Sequence, residues 1–249
     1  MRWLPLLVLL GYAAPAAPPV IATPPPELAV LVAGDATLRV FDDAVIGLRD
    51  RLATEGAQIT RLSADPAIGG TSLPGMLHAV AAMRPVRGQG CLVFATSHGA
   101  HDGTLLLGED FLRPAALDRA LSVGCGSAPT VVVISGCFSG NFARGSMQRP
   151  NRVILTAARP DRPSFGCGAG LKMTVFDACL LADMDRYGDW AAVAAGTKIC
   201  VAAAERAMDA VPSEPQSFFG RDVRTLLVPV VRPLVPADAP TLAGDPDLN

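Results

Sequence analysis

Four aliphatic runs without polar interruption limit what this chain can fold into. They are Leu-Ala-Val-Leu-Val-Ala at 28–33, Cys-Leu-Val-Phe-Ala-Thr at 91–96, Thr-Val-Val-Val-Ile-Ser at 130–135 and Arg-Val-Ile-Leu-Thr-Ala at 152–157. A strand with one face in water alternates apolar and polar residues, whereas an unbroken apolar run of this length fits a strand buried on both faces. Between the runs the period changes. Phe41, Ala44, Val45, Leu48 and Leu52 recur at helical spacing, and Gly56 stands where that helix should end. Buried strands interleaved with amphipathic helices imply an α/β fold, a three-layer α/β/α sandwich around a mostly parallel sheet. Half of the 249 residues are hydrophobic, enough to fill one such core.

Further elements follow from local signals. Residues 57–62 read as a strand and 73–83 as a helix that Thr71 and Ser72 can cap. A short alternating piece lies near 103–108 and a helix near 113–122. A polar loop follows Cys137, and helices are predicted over 174–185 and 189–210. The apolar run 223–231 is expected to add an edge strand.

The ends differ in composition from the middle. Arg2, the short apolar run 3–12 and Ala14-Pro15-Ala16 have the layout of a secretory signal peptide over residues 1–17, which predicts a periplasmic or secreted protein. Residues 18–26 read as a Pro-rich linker, 27–231 as one domain and 232–249 as a disordered tail. No other stretch is apolar enough to span a bilayer, so no stable membrane insertion is expected after signal removal. A formal charge of −2, with lysines only at 172 and 198, argues against nucleic acid as a partner.

The chemistry sits at the ends of two runs. Parallel strands joined by right-handed crossovers all finish on one rim, where such sheets bind ligands. His98 lies two residues past one run and Cys137 two past another. A thiol beside an imidazole is the minimum equipment of a cysteine nucleophile, because the imidazole stabilises the thiolate and can later protonate a leaving amine. The amides of Gly99 and Cys137 are the natural donors to a developing oxyanion. His101 competes with His98 for the role of base, while His78 falls mid-helix and reads as structural. Setting Cys137 aside leaves five cysteines, so at least one more stays unpaired or pairs between chains. No Cys-x-x-Cys occurs and the pair His98, His101 is a weak zinc motif, so no metal or other cofactor is expected.

Thr96-Ser97-His98-Gly99, then Val132-Val133-Ile134-Ser135-Gly136-Cys137 with Ser139-Gly140, then Thr156-Ala157-Ala158 leading to Ser164-Phe165-Gly166-Cys167, resemble the legumain-type cysteine peptidases, particularly their small bacterial members. The resemblance spans about residues 28–228 and includes a late block at 211–216. It implies a caspase-like fold, a Cys137–His98 dyad, an oxyanion hole using Gly99, and a cleft for a peptide or protein substrate flanked by Ser164. Legumains carry an orienting Asn after the first strand, where this chain has Gly34-Asp35, so Asp35 is the candidate for that role. They also carry an acidic residue two before the Cys, lining the pocket that selects Asn. Here that substrate-binding position is Ser135. The expected activity is endopeptidase cleavage through a thioacyl intermediate. The alternatives are a transpeptidase or transamidase with the same dyad, and an inactive peptide-binding module. Oligomeric state is left open.

Overall fold

A computed structural model of the chain describes residues 27–63, 65, 70–168 and 170–229. The expected signal peptide, the Pro-rich linker and the tail lie outside the described residues. Six strands form one sheet in the order β2-β1-β3-β6-β7-β8, the last of them Gln216–Phe219. Its first five members, β1 (Leu28–Ala33), β2 (Gln58–Leu62), β3 (Cys91–Thr96), β6 (Thr130–Ser135) and β7 (Arg152–Thr156), run parallel. A small hairpin, β4 (Leu105–Leu107) with β5 (Asp110–Leu112), interrupts the series between β3 and β6.

The unbroken apolar runs are explained by two cores. Successive strand side chains point to opposite faces, so Ala29, Leu31 and Ala33 enter one core while Val30 and Val32 enter the other. The first core is covered by α1 (Arg39–Ala53), α4 (Val175–Arg186) and α5 (Trp190–Ala207). The second is covered by α2 (Leu73–Ala82) and α3 (Pro114–Gly124). The predicted stripe of α1 is buried at Phe41, Ala44, Val45, Leu48 and Leu52. Gly56 follows that helix with φ +76°, a left-handed conformation in which glycine avoids the Cβ penalty. Ser72 caps α2 by accepting a bond from Gly75 N, whereas Thr71 turns away to donate to the carbonyl of Ala33.

Two local expectations are corrected. The edge strand is β8 (Gln216–Phe219), antiparallel to β7, and not the described part, 223–229, of the expected run, whose last two residues lie outside the described residues. Val223 and Val228 are buried, but their segment turns and docks on the start of α5 through Leu226 O to Trp190 N and Val228 N to Gly188 O. Burial there comes from helix contact, which an apolar run signals as strongly as a strand does. The loop after Cys137 winds into two short 3₁₀ turns, Ser139–Ala143 and Gly145–Met147.

Candidate active site

β3 and β6 are neighbours with Thr96 opposite Ser135. The pairing continues past both strands through Ser97 N to Ser135 O at 3.0 Å. His98 and Cys137 each follow two residues later, so equal steps carry both to the same rim. The period of two puts both on the face that carries Leu92 and Phe94 on β3 and Val131 and Val133 on β6, the face covered by α1 and α4.

Gly99 shows how close the two loops run. A Cβ built at Gly99 would lie 1.8 Å from Cys137 O and 2.9 Å from Cys137 N, so only glycine fits. Gly99 bridges Leu105 of the β4 hairpin, but the bonds of that bridge use His98 O and the amides of Leu106 and Ala100. The amide of Gly99 is therefore left without a backbone acceptor, as is that of Cys137, among the described residues.

His98 is held from two sides. Its ring stands edge-on to Phe41 of α1, with centroids 5.2 Å apart. Its Nε2 lies 3.5 Å from Asp35 Oδ2. Asp35 is fixed in turn, because its Oδ1 accepts from Thr37 N at 2.7 Å. The loop after β1 thus brings a carboxylate to the imidazole at the position where sequence pointed. The other candidate, His101, stacks its ring on Phe138, centroids 4.1 Å apart.

The sulfur of Cys137 is met by Ser164. Ser164 N donates to Sγ at 3.3 Å, Ser164 Oγ lies at 3.7 Å, and Sγ lies 3.6 Å from Ser164 O. The segment that carries Ser164 is tied down by Phe138 N donating to Arg162 O at 2.8 Å. Phe138 itself is a non-glycine residue in the left-handed region, φ 57° and ψ 13°. That conformation costs about 1–3 kcal/mol and is found where surrounding structure enforces it.

Ser135 is placed differently from expectation. It is 1% exposed, and its Oγ lies 3.5 Å from Thr174 Oγ1. As the last residue of β6 on the α4 face, it lies in the layer beneath the rim. Sequence reading missed what lies there. Asp177 is fully buried; its Oδ2 accepts from Thr96 Oγ1 at 2.7 Å, and its amide donates to Thr174 Oγ1 at 3.1 Å. Burial pushes its carboxyl up to about 6, against the opposing hydrogen bonds of Thr96, Ser135 and Thr174. The spacing Thr174-x-x-Asp177 ahead of an apolar run is a capping signal that marks this helix start. It gives no hint that the carboxylate turns to β3.

Four cysteines pair as Cys91–Cys125 and Cys179–Cys200, while Cys137 and Cys167 are free thiols. Burial, with smaller contributions from Cys137 and Asp177, pushes the Cys167 thiol up to about 11. It is the further unpaired cysteine that the odd count required. Among the described residues no cluster of His, Cys, Asp and Glu is suited to a metal, and no helix is long and apolar enough to cross a membrane.

Two comparisons relate the chain to known proteins. Residues 87–189, the stretch holding both His98 and Cys137, match the Peptidase C13 family. The chain also superimposes on caspase-1 from Spodoptera frugiperda with a TM-score of 0.59 at 16% identity, covering 78% of this chain and 86% of that one. At that identity the likeness establishes the fold, which is caspase-like. Family match and fold together support a legumain-type, caspase-like family and a cysteine peptidase type of function. Among curated proteins none matches.

Proposed function

We propose that the protein is a cysteine endopeptidase in which Cys137 is the nucleophile and His98 the proton shuttle. The observation that carries this is the packing of Gly99 against the Cys137 backbone, with both amides lacking a backbone acceptor at the rim that bears the thiol and the imidazole. Asp35 beside Nε2 favours a proton there, which makes Nδ1 the basic nitrogen of His98. The Cys137 thiolate attacks the scissile carbonyl, and the Gly99 and Cys137 amides take up the negative charge on its oxygen. The imidazolium then protonates the departing amine. Water, deprotonated by the same imidazole, cleaves the thioester. Backbone and side-chain atoms of Ser164 lie within 3.7 Å of Sγ, so this residue borders the path of a peptide to the thiolate.

Export of this enzyme is part of the proposal. Residues 1–17 supply the signal, and two disulfides favour an oxidising compartment. The test is turnover of a peptide pool by the protein and by Cys137→Ala, with products weighed in the presence and absence of an added amine. Hydrolysed products from the parent alone are expected. Amine-capped products would move the assignment to transamidation, and turnover by Cys137→Ala would remove Cys137 from the chemistry.

A further inference from the structure

A cavity of about 620 Å³ opens beside the nucleophile, lined by His101, Phe138, Pro160, Asp161 and Pro163. Cys137 does not line it, but Phe138, which does, is the next residue in the chain. Its walls are flat and mostly uncharged. The imidazole of His101 lies over the ring of Phe138 at 4.1 Å, tilted by 36°. Two proline rings face them. The one charged group, Asp161, is committed elsewhere, because Arg159 Nε and Nη2 donate to its two oxygens at 2.6 and 2.9 Å. Arg159 also bonds Glu214 at 2.8 Å, and Arg162 Nη2 lies 3.9 Å from the other Glu214 oxygen, so two guanidinium groups balance two carboxylates and the rim of the cavity is close to neutral.

The cavity is built rather than incidental. Phe138 reaches it only through a left-handed backbone, held by its amide bond to Arg162 O and by Asn141 Nδ2 at 3.5 Å from its carbonyl. Gly140 lets the 3₁₀ turn press against the same wall, since a Cβ there would lie 2.4 Å from Pro160 Cδ. Such strain persists where surrounding structure enforces it, and here it sets the buried ring of Phe138, with His101 stacked on it, in the wall of the cavity.

We propose that this cavity is a substrate subsite that accepts an aromatic side chain of the peptide, within two residues of the scissile bond. This rests on the peptidase reading of Cys137. Ring faces and pyrrolidine edges attract aromatic rings through stacking and edge contacts. A neutral rim offers a cationic side chain no net charge.

The test is digestion of a positional-scanning peptide library by the full chain and by His101→Ala, with kcat/KM compared for matched peptides. The parent is expected to favour Phe, Tyr or Trp over Ala at one flanking position by on the order of tenfold. In His101→Ala that ratio is expected to fall toward one. Cleavage without aromatic preference at any flanking position overturns the subsite and leaves the peptidase reading standing. So does a preference for Lys or Arg, or an aromatic preference that survives His101→Ala. If no library member is cleaved, the peptidase reading and the subsite both fall.

Discussion

Asp35 and Asp177 are both carboxylates near the rim, and their surroundings give them opposite tasks. Asp35 is partly exposed, pinned by the Thr37 amide and set against the imidazole. Replacing it with Ala removes the group that orients His98 but no core contact. Turnover of Asp35→Ala is expected to drop by on the order of tenfold to a hundredfold with an unchanged melting temperature. An unchanged rate would retire the orienting role. Asp177 is sealed beneath the strand ends, and its carboxyl sits near 6, well above the ordinary 3.8. A raised carboxyl favours the folded state most when protonated, below the ordinary value. That contribution is lost as pH rises through about 6. A rise of this size is worth about 3 kcal/mol. Asp177→Asn should therefore flatten the loss of stability between about pH 4 and pH 7, read as the difference between the denaturation curves of variant and parent. Parallel curves for the two proteins would contradict the buried ionisable group. Asp35 was visible in the sequence because the family resemblance implies an orienting residue in the loop after the first strand. Asp177 was hidden because its partner, Thr96, lies far away in sequence and only the sheet brings them together.

The elements that carry chemistry were the most legible. β3 and β6 begin and end where their unbroken apolar runs do, since a strand buried on both faces leaves no ambiguity of register between core and solvent. Pairing of β3 with β6 could not be read from either run. Their adjacency arises because β4, β5 and α3 form the crossover between them. The edge at β8 was missed for a related reason: Gln216–Phe219 is short and half-buried, whereas 223–228 is more apolar but packs on a helix. One element contact is stronger than either end of the chain suggested. Asp118 on α3 accepts from Arg152 at the start of β7 at 2.8 Å and from Arg149 at 3.1 Å, with the Arg152 and Asp118 side chains nearly inaccessible. Truncating one member strands a buried charge. Asp118→Ala is expected to destabilise the fold by about 3–5 kcal/mol in a denaturant titration, and a loss under about 1 kcal/mol would show that the pair is solvated.

At the scale of the whole molecule, each helical layer carries one crosslink. Cys91–Cys125 joins the start of β3 to the end of α3, and Cys179–Cys200 joins α4 to α5. They close loops with sequence separations of 34 and 21 residues, for which chain entropy alone gives about 3–4 kcal/mol each. Reduction should lower the melting temperature without abolishing labelling of Cys137 in protein that stays folded. A melting curve indifferent to reductant would mean that the crosslinks are not formed in solution. The architecture as a whole followed from binary pattern, while the rim followed from where two strands stop. The resemblance placed Ser164 at the flank of the cleft, whereas its direct contact with the Cys137 sulfur was not legible, because nothing local records which atoms meet a given side chain. The proposed function depends on one thiol activated by one imidazole. The direct measurement is covalent labelling with a peptidyl acyloxymethyl ketone, followed by mass mapping of the adduct in the parent, His98→Ala and Cys137→Ala. A single adduct on Cys137, formed orders of magnitude more slowly in His98→Ala and absent in Cys137→Ala, is the predicted result; no adduct in the folded parent, or an adduct on Cys167 instead, contradicts the account.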